Sequence, residues 1–133
     1  MRVVDASVVL TWLLQEPVPP TAQRMLDDHV SGHHPAVAPD LLTYEVANIL
    51  ARGADLSAAA ATEGFHRFRA LEIETFALGA GEQASALALA LQHRLTVYDA
   101  SYLALAEALG VRFATADRKL ARRVEGLGMV DAV

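Results

Sequence analysis

The sequence predicts an α/β domain with a mainly parallel central sheet. Short apolar stretches typical of buried strands, such as RVVD and VRFATA, alternate with longer amphipathic segments typical of helices. The chain has 133 residues, of which 53% are hydrophobic, so it has ample material for a core. A chain of this length is usually one domain, and we expect residues 1–133 to form a single unit.

Proline and glycine mark the predicted elements in the first half of the chain. Pro17, Pro19 and Pro20 break the chain after the first helix, and Gly32 ends the second. The third helix is amphipathic and is closed by Gly53. The predicted order is strand RVVD, helix ASVVLTWLLQE, helix PTAQRMLDDHVSG, extended AVAP and helix PDLLTYEVANILARG.

The second half continues the alternation of helices and extended segments. Ser57 begins the first helix of this half, and Gly110 ends the helix that contains the DAS motif. The predicted order is helix LSAAAATEGFHRFRALE, strand IETFAL, helix AGEQASALALALQHR, extended LTVY, helix DASYLALAEALG, strand VRFATA, helix DRKLARRVEGLG and strand MVDAV.

Composition and charge exclude several classes of protein. The chain has no cysteine, which excludes disulfides and thiolate metal sites, and its five histidines lack ligand spacing. Its net charge of -5 argues against a general nucleic-acid binder. Asp5 interrupts the apolar start, which argues against a signal peptide, and the Ala-rich ASALALAL is shorter than the ~20 residues of a membrane span. We therefore expect a cytoplasmic protein with no membrane segment.

Three aspartates follow predicted extended segments. Asp5 ends RVVD, Asp99 follows LTVY and Asp117 follows VRFATA. The carboxyl ends of parallel strands meet at one edge of a sheet, where such folds gather their functional groups. Each aspartate alone also suits a helix N-cap, a role that contributes ~1 kcal/mol. Both interpretations stay open for each residue.

Glu45 lies within the apolar stripe of its predicted helix. At about 100° per residue, four neighbours lie within about 60° of it: Leu41, Leu42, Asn48 and Ile49. A buried carboxylate needs protonation, a cationic partner or a metal ion. Arg52 is the nearest cation on that side, so a structural salt bridge is the alternative to a metal site.

Four converging carboxylates indicate a site for a hard divalent cation. Their repulsion raises their pKa values unless a cation lies between them. Mg²⁺ or Mn²⁺ prefers oxygen ligands and is commonly shared with substrate phosphate, where it can activate a water and stabilise charge on a phosphodiester. The chain contains neither the GxxxxGK[ST] nor the GxGxxG phosphate loop.

At these residues the sequence resembles the PIN-domain family, and most closely its VapC-type toxins of bacterial toxin–antitoxin pairs. The resemblance runs through VVDASVVLTWLL, PDLLTYEVANIL, TVYDASYLALAEALG and FATADRKLAR. It implies a three-layer α/β/α domain and an endoribonuclease that depends on Mg²⁺ or Mn²⁺. It also implies a homodimer and a VapB-like antitoxin whose tail covers the site.

The resemblance assigns roles to particular residues. The family's acidic positions fall on Asp5, Glu45, Asp99 and Asp117, and Thr115 matches a supporting polar position. Our hypothesis is that the first three hold the principal ion, while Asp117 completes the site through a water or a second ion. A metal-bound water would then attack the RNA phosphorus in line. We expect Ser7 and Ser101 to act as helix caps.

Basic residues cluster directly after Asp117. The cluster comprises Arg118, Lys119, Arg122 and Arg123, and the apolar side of the same helix comprises Leu120, Ala121, Val124 and Leu127. The basic residues either hold RNA phosphates beside the site or form an ordinary solvated face.

Two other kinds of function are alternatives to the nuclease. Haloacid-dehalogenase-type phosphatases and response-regulator receivers also place aspartates around Mg²⁺. The former need D-x-D near the start, where this chain has Ser7, and both need a lysine near the site, whereas Lys119 is the only lysine. A non-catalytic PIN-like scaffold that binds RNA or protein remains the alternative function, against which the complete acidic set counts.

Overall fold

A computed structural model describes all residues of the chain, 1–133, as a five-stranded parallel sheet with helices packed around it. The strands are β1 (Arg2–Val4), β2 (Ala36–Pro39), β3 (Glu74–Phe76), β4 (Phe113–Thr115) and β5 (Val130–Ala132). The helices are α1 (Ala6–Leu14), α2 (Pro20–Val30), α3 (Leu41–Asn48), α4 (Ala58–Ala70), α5 (Ala80–His93), α6 (Val97–Leu109) and α7 (Arg118–Arg123). A π-helical turn extends α3 over Ile49–Gly53, and a 3₁₀ turn follows α7 at Glu125–Leu127.

The strand order is β3-β2-β1-β4-β5, and every neighbouring pair is parallel. The predicted α/β class with a parallel central sheet is therefore confirmed. Along the chain, β2 and β3 follow in turn on one side of β1, and β4 and β5 then follow on its other side. Such a reversal opens a crevice outside the carboxyl ends of the two strands where it occurs, here β1 and β4.

One hydrophobic core of 30 buried residues fills the space between sheet and helices. The central strands supply its middle, because Val3, Val37 and Phe113 are almost completely removed from solvent. Strands buried on both faces are typically continuous apolar runs, as these three are. None of the helices has the combination of length and apolar character that is needed to cross a bilayer.

The prediction that LTVY is extended is wrong. Helix α6 begins at Val97, and Thr96 is its N-cap, accepting a hydrogen bond at Oγ1 from the Asp99 N–H at 3.0 Å. The β-branched pair Thr96-Val97 favours an extended backbone locally, but the Thr96 side chain caps a helix whose other residues bury a long apolar face. Asp99 therefore lies in the first turn of a helix and does not follow a strand.

Candidate active site

Asp5 lies at the carboxyl end of β1, in the crevice that the strand order creates beside β4. It caps α1, since its Oδ1 accepts a hydrogen bond from the Val8 N–H at 3.2 Å. Ser7 Oγ also donates to Oδ1, and Thr115 Oγ1 donates to Oδ2, both at 2.5 Å. The residue is only 7% exposed. Asp5 thus caps a helix and also lies in the crevice.

Burial dominates the electrostatics of Asp5. It raises the pKa of this carboxyl from 3.8 to about 6, although the hydrogen bonds from Ser7, Thr115 and Val8 act in the opposite direction. The negative charge of Asp99 adds to the increase in pKa. All three donors to Asp5 are neutral, so its charge is solvated by hydrogen bonds but is not neutralised.

The hydroxyls of Ser7 and Thr115 connect Asp5, which follows β1, to the loop after β4. Ser7 Oγ accepts from the Ala116 N–H at 2.8 Å, and Thr115 Oγ1 accepts from the Asp117 N–H at 3.0 Å. The two hydroxyl oxygens lie 3.3 Å apart. The predicted cap role of Ser7 is wrong, because its hydroxyl faces Asp5 and this loop. Its position two residues after Asp5 was the signal available in the sequence.

The predicted cap role of Ser101 is also wrong. Its hydroxyl donates to the Val97 carbonyl at 2.7 Å, one turn back within α6. That bond satisfies the hydroxyl inside the helix, while Thr96 occupies the cap position.

Glu45 projects from α3 and is partly buried. Its partner is Tyr102, whose hydroxyl donates to Oε1 at 2.5 Å. Burial raises the pKa of Glu45, the bond from Tyr102 lowers it, and the charge of Asp99 raises it again. The chain's one salt bridge joins Arg112 to Asp131, so the alternative of a salt bridge from Arg52 to Glu45 is wrong.

Sequence reasoning missed Tyr102. The residue is 1% exposed, and its ring stacks on Phe113 of β4 with centroids 6.0 Å apart. It lies three residues after Asp99, on the same face of α6, and this spacing was the signal available. Burial and the nearby carboxylates raise its pKa strongly, so it stays a neutral donor to Glu45.

Asp99 and Asp117 complete the acidic set. Asp99 is partly buried in the first turn of α6; burial raises its pKa, as does the charge of Asp117, and Arg123 lowers it. Asp117 is exposed and caps α7, accepting at Oδ1 from the N–H groups of Lys119 and Leu120 at 3.0 and 3.1 Å. The cap interpretation therefore holds for Asp117, whereas Asp99 does not cap its helix.

Asp99 links the other acidic residues electrostatically, since it raises the pKa of both Asp5 and Glu45 and is itself affected by Asp117. No three His, Asp or Glu side chains of the chain are grouped closely enough to form a ligand set for one ion. The donors are nonetheless chemically suited to Mg²⁺ or Mn²⁺, because they are carboxylate oxygens without a salt-bridge partner.

The four basic residues of α7 are exposed, opposite buried Leu120 and Val124. The three arginines make different contacts. Arg118 and Arg122 line a groove of about 620 Å³ against β5. Arg123 turns toward the acidic residues and donates from Nη1 to the Arg94 carbonyl at 2.7 Å.

The fold and this crevice together define a class of protein, a parallel α/β domain with acidic side chains at the carboxyl ends of its central strands. The PIN domain family matches residues 2–126, and the chain belongs to that family.

Individual relatives agree with this membership. Ribonuclease VapC3 from Pyrobaculum aerophilum is 36% identical over 132 residues, which cover 94% of this chain and 95% of that protein. The crystal structure of PAE2754 from Pyrobaculum aerophilum superimposes with a TM-score of 0.67 at 25% identity, covering 99% of this chain and 88% of that one.

Proposed function

We propose that this chain is the toxin of a type II toxin–antitoxin pair and acts as an Mg²⁺- or Mn²⁺-dependent endoribonuclease. The observation that carries the proposal is the buried Asp5, whose charge is opposed by Asp99 and balanced by no salt bridge. A buried carboxylate without a cationic partner lowers the stability of the fold, so a structural role alone does not explain why Asp5 is there. Similarity to ribonuclease VapC3 across nearly the whole chain supports the same function.

In this proposal Asp5, Glu45 and Asp99 would hold the principal ion, some of them through its bound waters because the three are not grouped as one direct ligand set, and Asp117 would complete the site from the rim. A divalent ion in such a site lowers the pKa of water and stabilises charge on phosphate. Ser7 and Thr115 hold the Asp5 carboxylate in one orientation, because they donate to its two different oxygens. Tyr102 does the same for Glu45 through a single bond.

We assign the basic residues of α7 to the RNA backbone. Arg118, Lys119, Arg122 and Arg123 place positive charge next to a site whose carboxylates repel phosphate. Arg123 is the cation that acts on Asp99, and its bond to the Arg94 carbonyl restrains it there.

The remaining features of the proposal concern organisation and partners. Residues 1–133 act as one domain in the cytoplasm, as a homodimer and with a VapB-like antitoxin that blocks the site. They rest on membership of the PIN domain family and on similarity to ribonuclease VapC3.

RNA 5′-end mapping after induced expression tests the nuclease proposal. We expect the wild-type chain to create new 5′ ends at defined positions, and cells that express Asp99→Asn at the same level to show none. Purified protein, free of antitoxin, should cut the same RNA with Mn²⁺. If neither cells nor purified protein cut RNA, the nuclease proposal fails and the non-catalytic scaffold takes its place.

Tyr102→Phe tests the support of Glu45. The variant keeps the ring stacked on Phe113 but removes the hydroxyl that donates to Glu45. The pKa of Glu45 should rise further, so its ionised form is less populated near neutral pH. We expect cleavage to fall about 10-fold at pH 6.5 and to recover partly at higher pH.

The control is Ser85→Ala, which removes an exposed hydroxyl from α5 that makes no hydrogen bond to Glu45. Pre-steady-state cleavage rates across pH 5.5–9 provide the measurement. A Tyr102→Phe variant that matches wild type at every pH would show that this hydroxyl has no part in the site.

A further inference from the structure

We propose that a pocket beside the acidic site binds one unstacked nucleobase of single-stranded RNA, next to the bond that is cut. The pocket has a volume of about 400 Å³ and is lined by Leu41, Tyr44, Glu45, Asn48 and Tyr98. The inference rests on the proposed function, which it extends from bond cleavage to the choice of RNA.

Two exposed tyrosines form the walls of this pocket. Tyr44 is 78% exposed and Tyr98 is 67% exposed, and they are two of the chain's three tyrosines. Large aromatic side chains exposed together in one concavity are typical of binding sites. The third tyrosine, Tyr102, is buried and bonded to Glu45.

The pocket is continuous with the acidic site. Tyr44 directly precedes Glu45 on α3, and Tyr98 directly precedes Asp99 on α6. Glu45 itself lines the pocket while it accepts the hydrogen bond from Tyr102. A ring held between the tyrosines therefore lies next to the phosphate that the carboxylates address.

The chemistry of the lining fits a base better than a phosphate. Tyrosine rings stack on unpaired bases, which is how single-stranded RNA is most often held. Asn48 lies one turn after Tyr44, and its amide offers both a donor and an acceptor to a base edge. Glu45 and the neighbouring Asp99 repel phosphate, so the neutral base is the part of RNA that this pocket accepts.

The position of the cations supports the same orientation of RNA. The basic cluster of α7 belongs to a different helix from the pocket lining, and no arginine or lysine lines the pocket. The acidic residues thus have a cation, Arg123, acting on Asp99 and an aromatic pocket at Glu45.

The test pairs protein variants with altered RNA. Tyr44→Ala and Tyr98→Ala remove each ring, whereas Tyr44→Phe and Tyr98→Phe keep it. Leu91→Ala is the matched control, since Leu91 is 75% exposed on α5 and lines no part of the pocket. The probe is a fluorescein-labelled oligoribonucleotide that spans a bond mapped in cells, made intact or with an abasic ribose on either side of that bond.

We expect each alanine variant to cut the intact RNA with kcat/KM reduced about 10-fold, mainly through KM. Leu91→Ala should match wild type, and each phenylalanine variant, which keeps the ring, should retain more kcat/KM than the corresponding alanine variant. One of the abasic RNAs should be cut about 10-fold less well by wild type, and on it the alanine variants should show no further loss.

Three results would overturn the proposal. The first is wild-type cleavage of intact RNA by both alanine variants. The second is a loss in those variants that persists unchanged on every abasic RNA. The third concerns alanine variants that cut RNA normally. If their oligomeric state shifts in sedimentation, or if they bind the antitoxin more weakly, the pocket is a protein contact and not a base site.

Anisotropy of the same probes in EDTA separates this inference from the proposed function. If wild type cuts no RNA but binds the intact probe better than an abasic one, and only the alanine variants lose that difference, the base pocket stands without the nuclease. If the wild type cuts intact and abasic RNA equally well, the nuclease proposal holds and the base-pocket proposal fails.

Discussion

Replacing Asp99 by Asn is expected to reduce RNA cleavage at least about 100-fold and to stabilise the metal-free protein at pH 8. The carboxylate of Asp99 is the one whose charge raises the pKa of both Asp5 and Glu45. Thr96 Oγ1 accepts from the backbone N–H of Asp99, which an asparagine keeps. The Thr96 hydroxyl also lowers the pKa of the Asp99 carboxyl, and the side-chain oxygen of an asparagine can still accept from it. The substitution therefore removes repulsion without removing the helix cap.

The gain in stability should be small, because Asp99 is partly exposed and solvent screens its charge. We expect a free energy of unfolding higher by roughly 0.5–1 kcal/mol, measured by urea denaturation in EDTA. Glu107→Gln is the matched control, since it removes one charge from an exposed position of the same helix.

Glu107→Gln should change neither cleavage nor stability. An Asp99→Asn protein that still cuts RNA would contradict the assignment of Asp99 to the site. An Asp99→Asn protein that unfolds more easily than wild type would contradict the electrostatic argument.

Mn²⁺ is expected to stabilise the protein strongly at pH 8 and weakly at pH 5. In the metal-free protein, the folded pKa of Asp5 is about 6 against an ordinary value of 3.8. The folded state binds the extra proton, so the stabilisation is complete below about pH 4 and is lost as pH rises through about 6. The loss from Asp5 is on the order of 3 kcal/mol, and burial moves Glu45 and Asp99 in the same direction.

A divalent ion has the opposite pH dependence because it binds the deprotonated carboxylates. Its contribution grows as protons leave and reaches about 2.7 kcal/mol when the ion is at 100 times its Kd. Thermal unfolding from pH 4 to pH 8, with Mn²⁺ or with EDTA, measures both effects.

Asp5→Asn should flatten the metal-free pH dependence between pH 4 and 6 and remove most of the stabilisation by Mn²⁺. Glu107→Gln should retain both. Equal stabilisation by Mn²⁺ at pH 5 and pH 8, or full stabilisation of Asp5→Asn, would contradict a metal site built on Asp5.

Local sequence was sufficient to place a site aspartate where strand, turn and helix follow one another directly. Asp5 and Asp117 lie at the carboxyl ends of β1 and β4 and cap the next helices, as their positions predicted. The same reasoning failed at Asp99, because the Thr96 cap and the burial of one face of α6 outweigh the local β propensity of Thr96-Val97. The apolar stripe around Glu45 showed that this residue needs a partner without showing that the partner is Tyr102.

The sequence by itself determined the α/β class and the family, since these depend on patterns and motifs along the chain, and it singled out four acidic residues as candidates for the site. Only the tertiary structure decided which side chains hold those acids. Thr115 reaches Asp5 across 110 residues, and Tyr102 reaches Glu45 across 57. It also decided that Tyr44 and Tyr98 share one pocket, because α3 and α6 become neighbours there only when the chain folds. Contacts of this length arise from packing, which no local pattern encodes.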